Sequence, residues 1–168
     1  MKKLNDKDKS QIKTFLQRLA IFAVAMVLIF GFVFRVTFMP SDDMKPALRF
    51  GDILLEYRIP SGRHIGQVVS YSKNGQEYVG RIAAMPGDTV DIKEETLLLN
   101  GNRTTSSDIY FSTPAYEGDV KLPLQLGEDE YFILGDYRSA ASDSRRFGPV
   151  TESEITGSVI TVLRRSQI

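Results

Sequence analysis

The sequence predicts a mostly β domain tethered by one N-terminal transmembrane helix. Three observations carry that expectation. A run of 16 residues without a charge, LAIFAVAMVLIFGFVF at 19–34, lies between Arg18 and Arg35. After it, short segments rich in β-branched and aromatic residues alternate with Gly, Pro, Asn and Ser. No stretch of residues 36–168 shows sustained helical periodicity.

The apolar run extends roughly 24 Å at about 1.5 Å per residue, somewhat less than a hydrocarbon core of about 30 Å. Val36, Phe38 and Met39 continue it if Arg35 snorkels outward, which gives an anchor at 19–39. The run is apolar all round, unlike the amphipathic helix of a soluble core. It leaves through FRVTFMP, which lacks the small residues of a cleavage site, so an uncleaved anchor is expected and not a signal peptide. Residues 1–18 carry six basic side chains (Lys2, Lys3, Lys7, Lys9, Lys13, Arg18) against Asp6 and Asp8. By the positive-inside bias this end stays cytoplasmic, and 40–168 forms an extracellular domain on a single-pass plasma-membrane protein.

In that outer domain DILLEYRI, GQVVSYS, EYVGRIAAM, TVDIKEETLLLNG, YFILGD and GSVITVLR read as strand segments. KNGQ, with Asn74 and Gly75 supplying positive φ, reads as a hairpin turn between two of them. Residues 102–127, rich in Ser, Thr, Pro and Gly, read as a surface excursion. Lys plus Arg and Asp plus Glu are 21 each, so net charge favours no nucleic-acid partner. Absence of cysteine excludes disulfides, a thiolate nucleophile and a Cys-based zinc site. One histidine, His64, leaves no basis for a histidine triad or a His-rich metal site, and no cofactor is implied.

Three stretches occur in order after the anchor: PSDDMKPALRFGD at 40–52, YVGRIAAMPGDTVDI at 78–92 and GDYRSAASDSRRFGPV at 135–150. Together they resemble the motif boxes of type I signal peptidases, membrane-bound enzymes that cut signal peptides with a serine–lysine dyad. The resemblance implies a signal-peptidase-like β domain. It also implies roles at particular positions, and several of those positions depart from the pattern. The nucleophilic serine of the first box falls on Asp43, while Ser41 matches the serine whose hydroxyl assists the oxyanion hole. The general-base lysine of the second box falls on Gly80, and the serine that orients it, in the third box, on Ala141. Tyr137 stands where that box has asparagine.

A serine hydroxyl attacks only when a neighbouring base takes its proton, and a lysine does so only where its surroundings keep it neutral. Loss of nucleophile, base and orienting hydroxyl together points to a pseudoenzyme. An aspartic-protease mechanism needs two facing carboxylates. Asp42 and Asp43 are adjacent and in an extended segment face opposite ways. Lys45 as a substitute base still finds no hydroxyl at Asp43. Asp143 and Arg145 are expected to be structural, as a buried charge pair. Met44, Leu48 and Met85 are expected in the core, and His64 in solvent.

The family's site also holds its substrate as an extended strand, which requires no chemistry. Here the groove walls fall on Met39, Pro40, Ser41, Asp42, Asp43 and Met44, and on Tyr78, Val79, Gly80 and Arg81. With Gly80 in place of a long side chain, a more open groove floor is expected. Dyad-lacking proteins of this kind resemble the accessory proteins of sortase-assembled pili in Gram-positive bacteria. That resemblance implies a chaperone-like role in pilus assembly, with pilin subunits or sortase as partners.

Overall fold

The computed structural model describes residues 6–60, 62–104, 112–116 and 120–164, and the chain divides into two units, Met1–Phe34 and Arg35–Ile168. The first is helix α1, Asp6–Val33. Its stretch Ser10–Val33 contains an 18-residue window with a mean hydropathy of 2.2 and exposes apolar side chains around its circumference, among them Phe15, Phe22, Val27 and Phe32. At about 1.5 Å per residue these 24 residues extend roughly 36 Å, enough to cross a hydrocarbon core.

The helix starts earlier and stops sooner than the expected 19–39 anchor. The following residues form β1, Phe34–Phe38, so Val36, Phe38 and Met39 do not prolong the helix. Arg35 does not snorkel: its guanidinium binds Glu56 at 3.0 Å and Glu77 at 3.3 Å. An ion pair with Glu56, whose side chain is fully buried, holds the arginine on the sheet.

The second unit is mostly β. After β1 come β2 (Ile53–Tyr57), β3 (Val68–Lys73), β4 (Gln76–Ala84), β5 (Thr89–Lys93), β6 (Thr96–Leu99), β7 (Asn102–Arg103), β8 (Leu124–Gln125), β9 (Glu130–Leu134), the one-turn helix α2 (Ser144–Phe147), β10 (Val150–Thr151) and β11 (Ile155–Leu163). The large sheet has the order β1-β2-β11-β3-β4-β9-β10, and a smaller one the order β7-β6-β5-β8.

Asn74 and Gly75 turn β3 into β4 with φ of 53° and 78°, the left-handed pair a two-residue hairpin demands. The segment expected as a single strand run at 89–101 is instead the β5–β6 hairpin, turned by Glu94 and Glu95 at φ of 48° and 56°. Glutamate rarely signals such a turn, so the residue types concealed it.

Side-chain alternation divides the core. Ile82 and Ile133 point to one face with Val69, Tyr71, Tyr131, Val150 and Ile155. Ala83, Ala84, Phe132 and Leu134 point the other way, onto Val90, Leu97 and Leu126 around the small sheet. Successive residues of β9 thus serve two cores, as a period of two requires, while the register shift between Ile82 and Ala84 puts Ala83 and Ala84 in the same one. A third cluster joins Met39, Met44, Leu48 and Leu54 to Val79.

Part of the 102–127 excursion lies outside the described residues. The rest is tied to the domain. Thr113 and Leu126 are buried, and Tyr116 sits against the guanidinium groups of Arg145 and Arg146 at 4.5 and 4.3 Å.

Candidate functional site

Residues 41–47 follow bends and turns, not the extended path expected of them. The two aspartates nevertheless separate. Asp42 turns outward, bonding Lys45 at 2.8 Å and accepting the Phe50 N–H, and these contacts hold its carboxyl below the usual value. Asp43 is half-buried, and its backbone carbonyl accepts the Tyr137 N–H at 2.9 Å. First and third boxes are thereby stitched together.

The Asp43 carboxylate lies among the Ser41 hydroxyl, the Ser142 N–H and the charges of Asp143 and Asp42. Burial lifts its pKa above the ordinary 3.8, the two donors oppose the rise, and the neighbouring negative charges add to it. Folded protein therefore binds more proton at this group than the unfolded chain does. Its contribution to stability declines as pH climbs above 3.8. Asp43→Asn should remove that slope, so the Tm difference between variant and parent grows in favour of asparagine as pH rises above 3.8, measured by thermal denaturation. A difference independent of pH would contradict the assignment.

Gly80 sits on β4 opposite Val69 of β3. A Cβ placed there would lie 2.6 Å from Ile133 Cγ2, 3.2 Å from the Leu134 carbonyl oxygen and 3.4 Å from Tyr71 Cε1. The expected open floor is absent at this point. Tyr71 and Ile133, both buried, close over the glycine. Tyr71 stacks on Tyr78 at 5.5 Å, and Phe147 tilts against both. Burial raises the Tyr71 hydroxyl well above its ordinary pKa, reinforced by the charges of Asp143 and Asp43. The phenol and both carboxylates therefore share one neighbourhood.

Ala141 is fully buried. Its Cβ occupies the position a side chain on Gly135 would take, and the Asp43 carbonyl oxygen would be 2.7 Å from such a side chain. The close approach of the 41–44 and 135–141 segments thus depends on glycine at 135.

Beneath these positions lies a charge network. Asp143 binds Arg145 at 2.8 Å, with both side chains buried, and also accepts the Gly135 N–H at 3.0 Å. Arg81 grips Asp136 through two bonds, of 3.0 and 2.7 Å, and reaches the Gly66 carbonyl at 2.8 Å. Arg138 donates to the Gly135 carbonyl and to Thr113, and burial lowers its pKa to about 10.

Of the groove residues, Met39, Met44 and Val79 belong to the third core cluster, while Pro40 and Asp42 are exposed and Ser41 and Tyr78 half-buried. β9 pairs with β4 only from Arg81 onward, so among the described residues 76–80 has a strand neighbour on the β3 side alone. Leu48 is buried, Met85 packs against the first cluster, and His64 is exposed. Among the described residues no group of three or more metal-type donors forms. Tyr71 and Ile133 were not anticipated, because nothing local in SYS or FILG marks a residue that covers a glycine on the neighbouring strand.

A family model described as signal peptidase, peptidase S26, matches residues 12–163. Signal peptidase I of Bacillus amyloliquefaciens is 31% identical over 166 residues, covering 89% of this chain and 86% of the relative. Signal peptidase I of Bacillus licheniformis is 28% identical, with 89% and 87% covered. Signal peptidase IB of Staphylococcus aureus is 30% identical, with 88% of each covered. A crystal structure of a signal peptidase I from Enterococcus faecalis V583 covers 61% of this chain and 100% of its own, at 25% identity and a TM-score of 0.49. With matched residues running from α1 to the last strand, the chain belongs to the signal peptidase S26 family.

Proposed function

We propose that this protein is a catalytically inactive, membrane-anchored member of its family that binds extended polypeptide without cutting it. The observation that supports this most strongly is at Gly80, where Ile133 and Tyr71 occupy the space a lysine side chain would have to enter. Asp43 and Ala141 extend the same pattern to the nucleophile and orienting positions. A carboxylate made less acidic by burial is no substitute for an activated hydroxyl.

The apolar helix anchors the chain in the plasma membrane with its basic N-terminus inside, and the β domain works on the outer face. There it serves pilus assembly as a chaperone-like partner of pilin subunits or sortase. Main-chain pairing along the one-sided stretch of β4 provides the grip, with 39–44 as the opposite wall.

The rival is a signal peptidase with relocated catalytic groups, which the relatives' names favour. One assay decides between them. Full-length protein in detergent, incubated with a signal-peptide substrate, should show no cleavage above a protein-free control, and cross-linking in membranes should recover sortase or pilin precursor. Enzyme-dependent turnover would refute the proposal. Recovery of an active signal peptidase alone would replace the assembly role with that of a regulatory decoy.

A further inference from the structure

We propose that residues 10–19 of α1 form a recognition face for anionic phospholipid in the leaflet at the N-terminal end of the helix. The proposal rests on α1 crossing the membrane and adds the headgroup chemistry it meets there.

Helix α1 is unbroken from Asp6 to Val33, but its character changes along its length. From Ala20 to Val33 every residue is apolar or glycine. Over 10–19 the residue types segregate. At about 100° per residue, Ile12, Phe15, Leu16 and Leu19 fall within an arc of about 100°, and Lys13 and Arg18 each stand about 60° beyond one of its edges. Ser10, Thr14 and Gln17 fill the far side. The four apolar side chains of the arc are exposed, as are Lys13 and Arg18. An apolar stripe bordered by a cation on each flank suits the boundary between acyl chains and headgroups.

Depth agrees with that placement. Lys13 lies about 30 Å from Val33 along the axis, the thickness of a hydrocarbon core. With Val33 at one edge of the core, Lys13 reaches the other, and Arg18, about 8 Å inside, brings its guanidinium to the same level by snorkelling.

Both cations need counter-charge at that level. No acidic residue stands within one helical turn of either, and none occurs anywhere between Asp8 and Asp42. Anionic lipids packed along the stripe supply it, each basic residue at such a surface contributing about fivefold in affinity. Orienting the helix requires only that basic residues stay on one side. One on each flank of an apolar stripe adds a lateral contact with lipid.

For the test, full-length protein is reconstituted in dioleoylphosphatidylcholine vesicles with a trace of spin-labelled phosphatidylglycerol or spin-labelled phosphatidylcholine. Electron paramagnetic resonance then measures the fraction of each label immobilised on the protein. The parent should hold phosphatidylglycerol about fivefold more strongly than phosphatidylcholine, and NaCl at about 1 M should remove most of that preference. Lys13→Gln with Arg18→Gln should lower the ratio to about one. Lys2→Gln with Lys3→Gln, equal in charge change, should keep most of it. Equal immobilisation of the two lipids by the parent would overturn the proposal, as would an equal loss in the two double variants or a preference unaffected by salt. Because it uses the parent alone, the salt series stands even where a variant fails to insert. Extraction of the protein from the vesicles by alkaline carbonate would overturn the membrane crossing itself, and the lipid face with it.

Discussion

Asp143→Ala should destabilise the outer domain by about 3–5 kcal/mol, the cost of removing one partner from a buried ion pair. Both side chains of the pair are about 1% exposed. The two oxygens of Asp143 accept from the Gly135 N–H at 3.0 Å, the Arg145 N–H at 3.1 Å, and Arg145 Nε and Nη2 at 2.9 and 2.8 Å. Alanine leaves the guanidinium with the Pro114 carbonyl at 2.9 Å and the face of Tyr116. A drop in Tm of more than about 10 °C is expected for a domain of this size. Adding Arg145→Met should recover part of the loss, because the uncompensated charge and not the missing contact dominates. Thermal denaturation of the two variants measures both effects, and a loss below about 1 kcal/mol for Asp143→Ala would contradict the structural role assigned to the pair.

The second large effect is at Gly80. Even Gly80→Ala puts a methyl group 2.6 Å from Ile133 Cγ2, and Ile133 is a fully buried, β-branched side chain with little freedom to move aside. Overpacking of this kind costs about 1–3 kcal/mol, and Gly80→Lys should cost more because an amine is carried into an apolar, aromatic-lined space. The combination Asp43→Ser, Gly80→Lys and Ala141→Ser, which writes in the residues that the resemblance implies for these positions, should therefore give no signal-peptide cleavage above background. Ile133→Ala added to Gly80→Lys should relieve the clash and raise the Tm relative to Gly80→Lys alone. Turnover by the triple variant would sink the closure account, since it would mean the scaffold still accepts the base in a working geometry.

How far the sequence could be read depended on whether the deciding interaction was local. Asn74-Gly75 announced its hairpin because positive φ is a property of those residues themselves. The Glu94-Glu95 hairpin has the same backbone and was missed, because it is imposed by the pairing of β5 with β6 and not by its residues. The apolar run identified one helix but not its end: Phe34, Val36 and Phe38 suit a lipid-facing helix and a strand equally. Only the pairing of β1 with β2, and of Arg35 with buried Glu56, separates the two.

At the site, the resemblance to the family's boxes implies that Asp43, Gly80 and Ala141 stand at the nucleophile, base and orienting positions, and the sequence shows only which side chains are there. Composition and alternation likewise sufficed for a β domain behind one apolar helix. What surrounds each position was settled by tertiary structure: that Tyr71 and Ile133 close over Gly80, that the Tyr137 N–H binds the Asp43 carbonyl, and that Arg81 and Arg145 are held by Asp136 and Asp143. These partners come from strands and loops far apart in the chain, and their meeting depends on strand order and register, which no local residue pattern encodes.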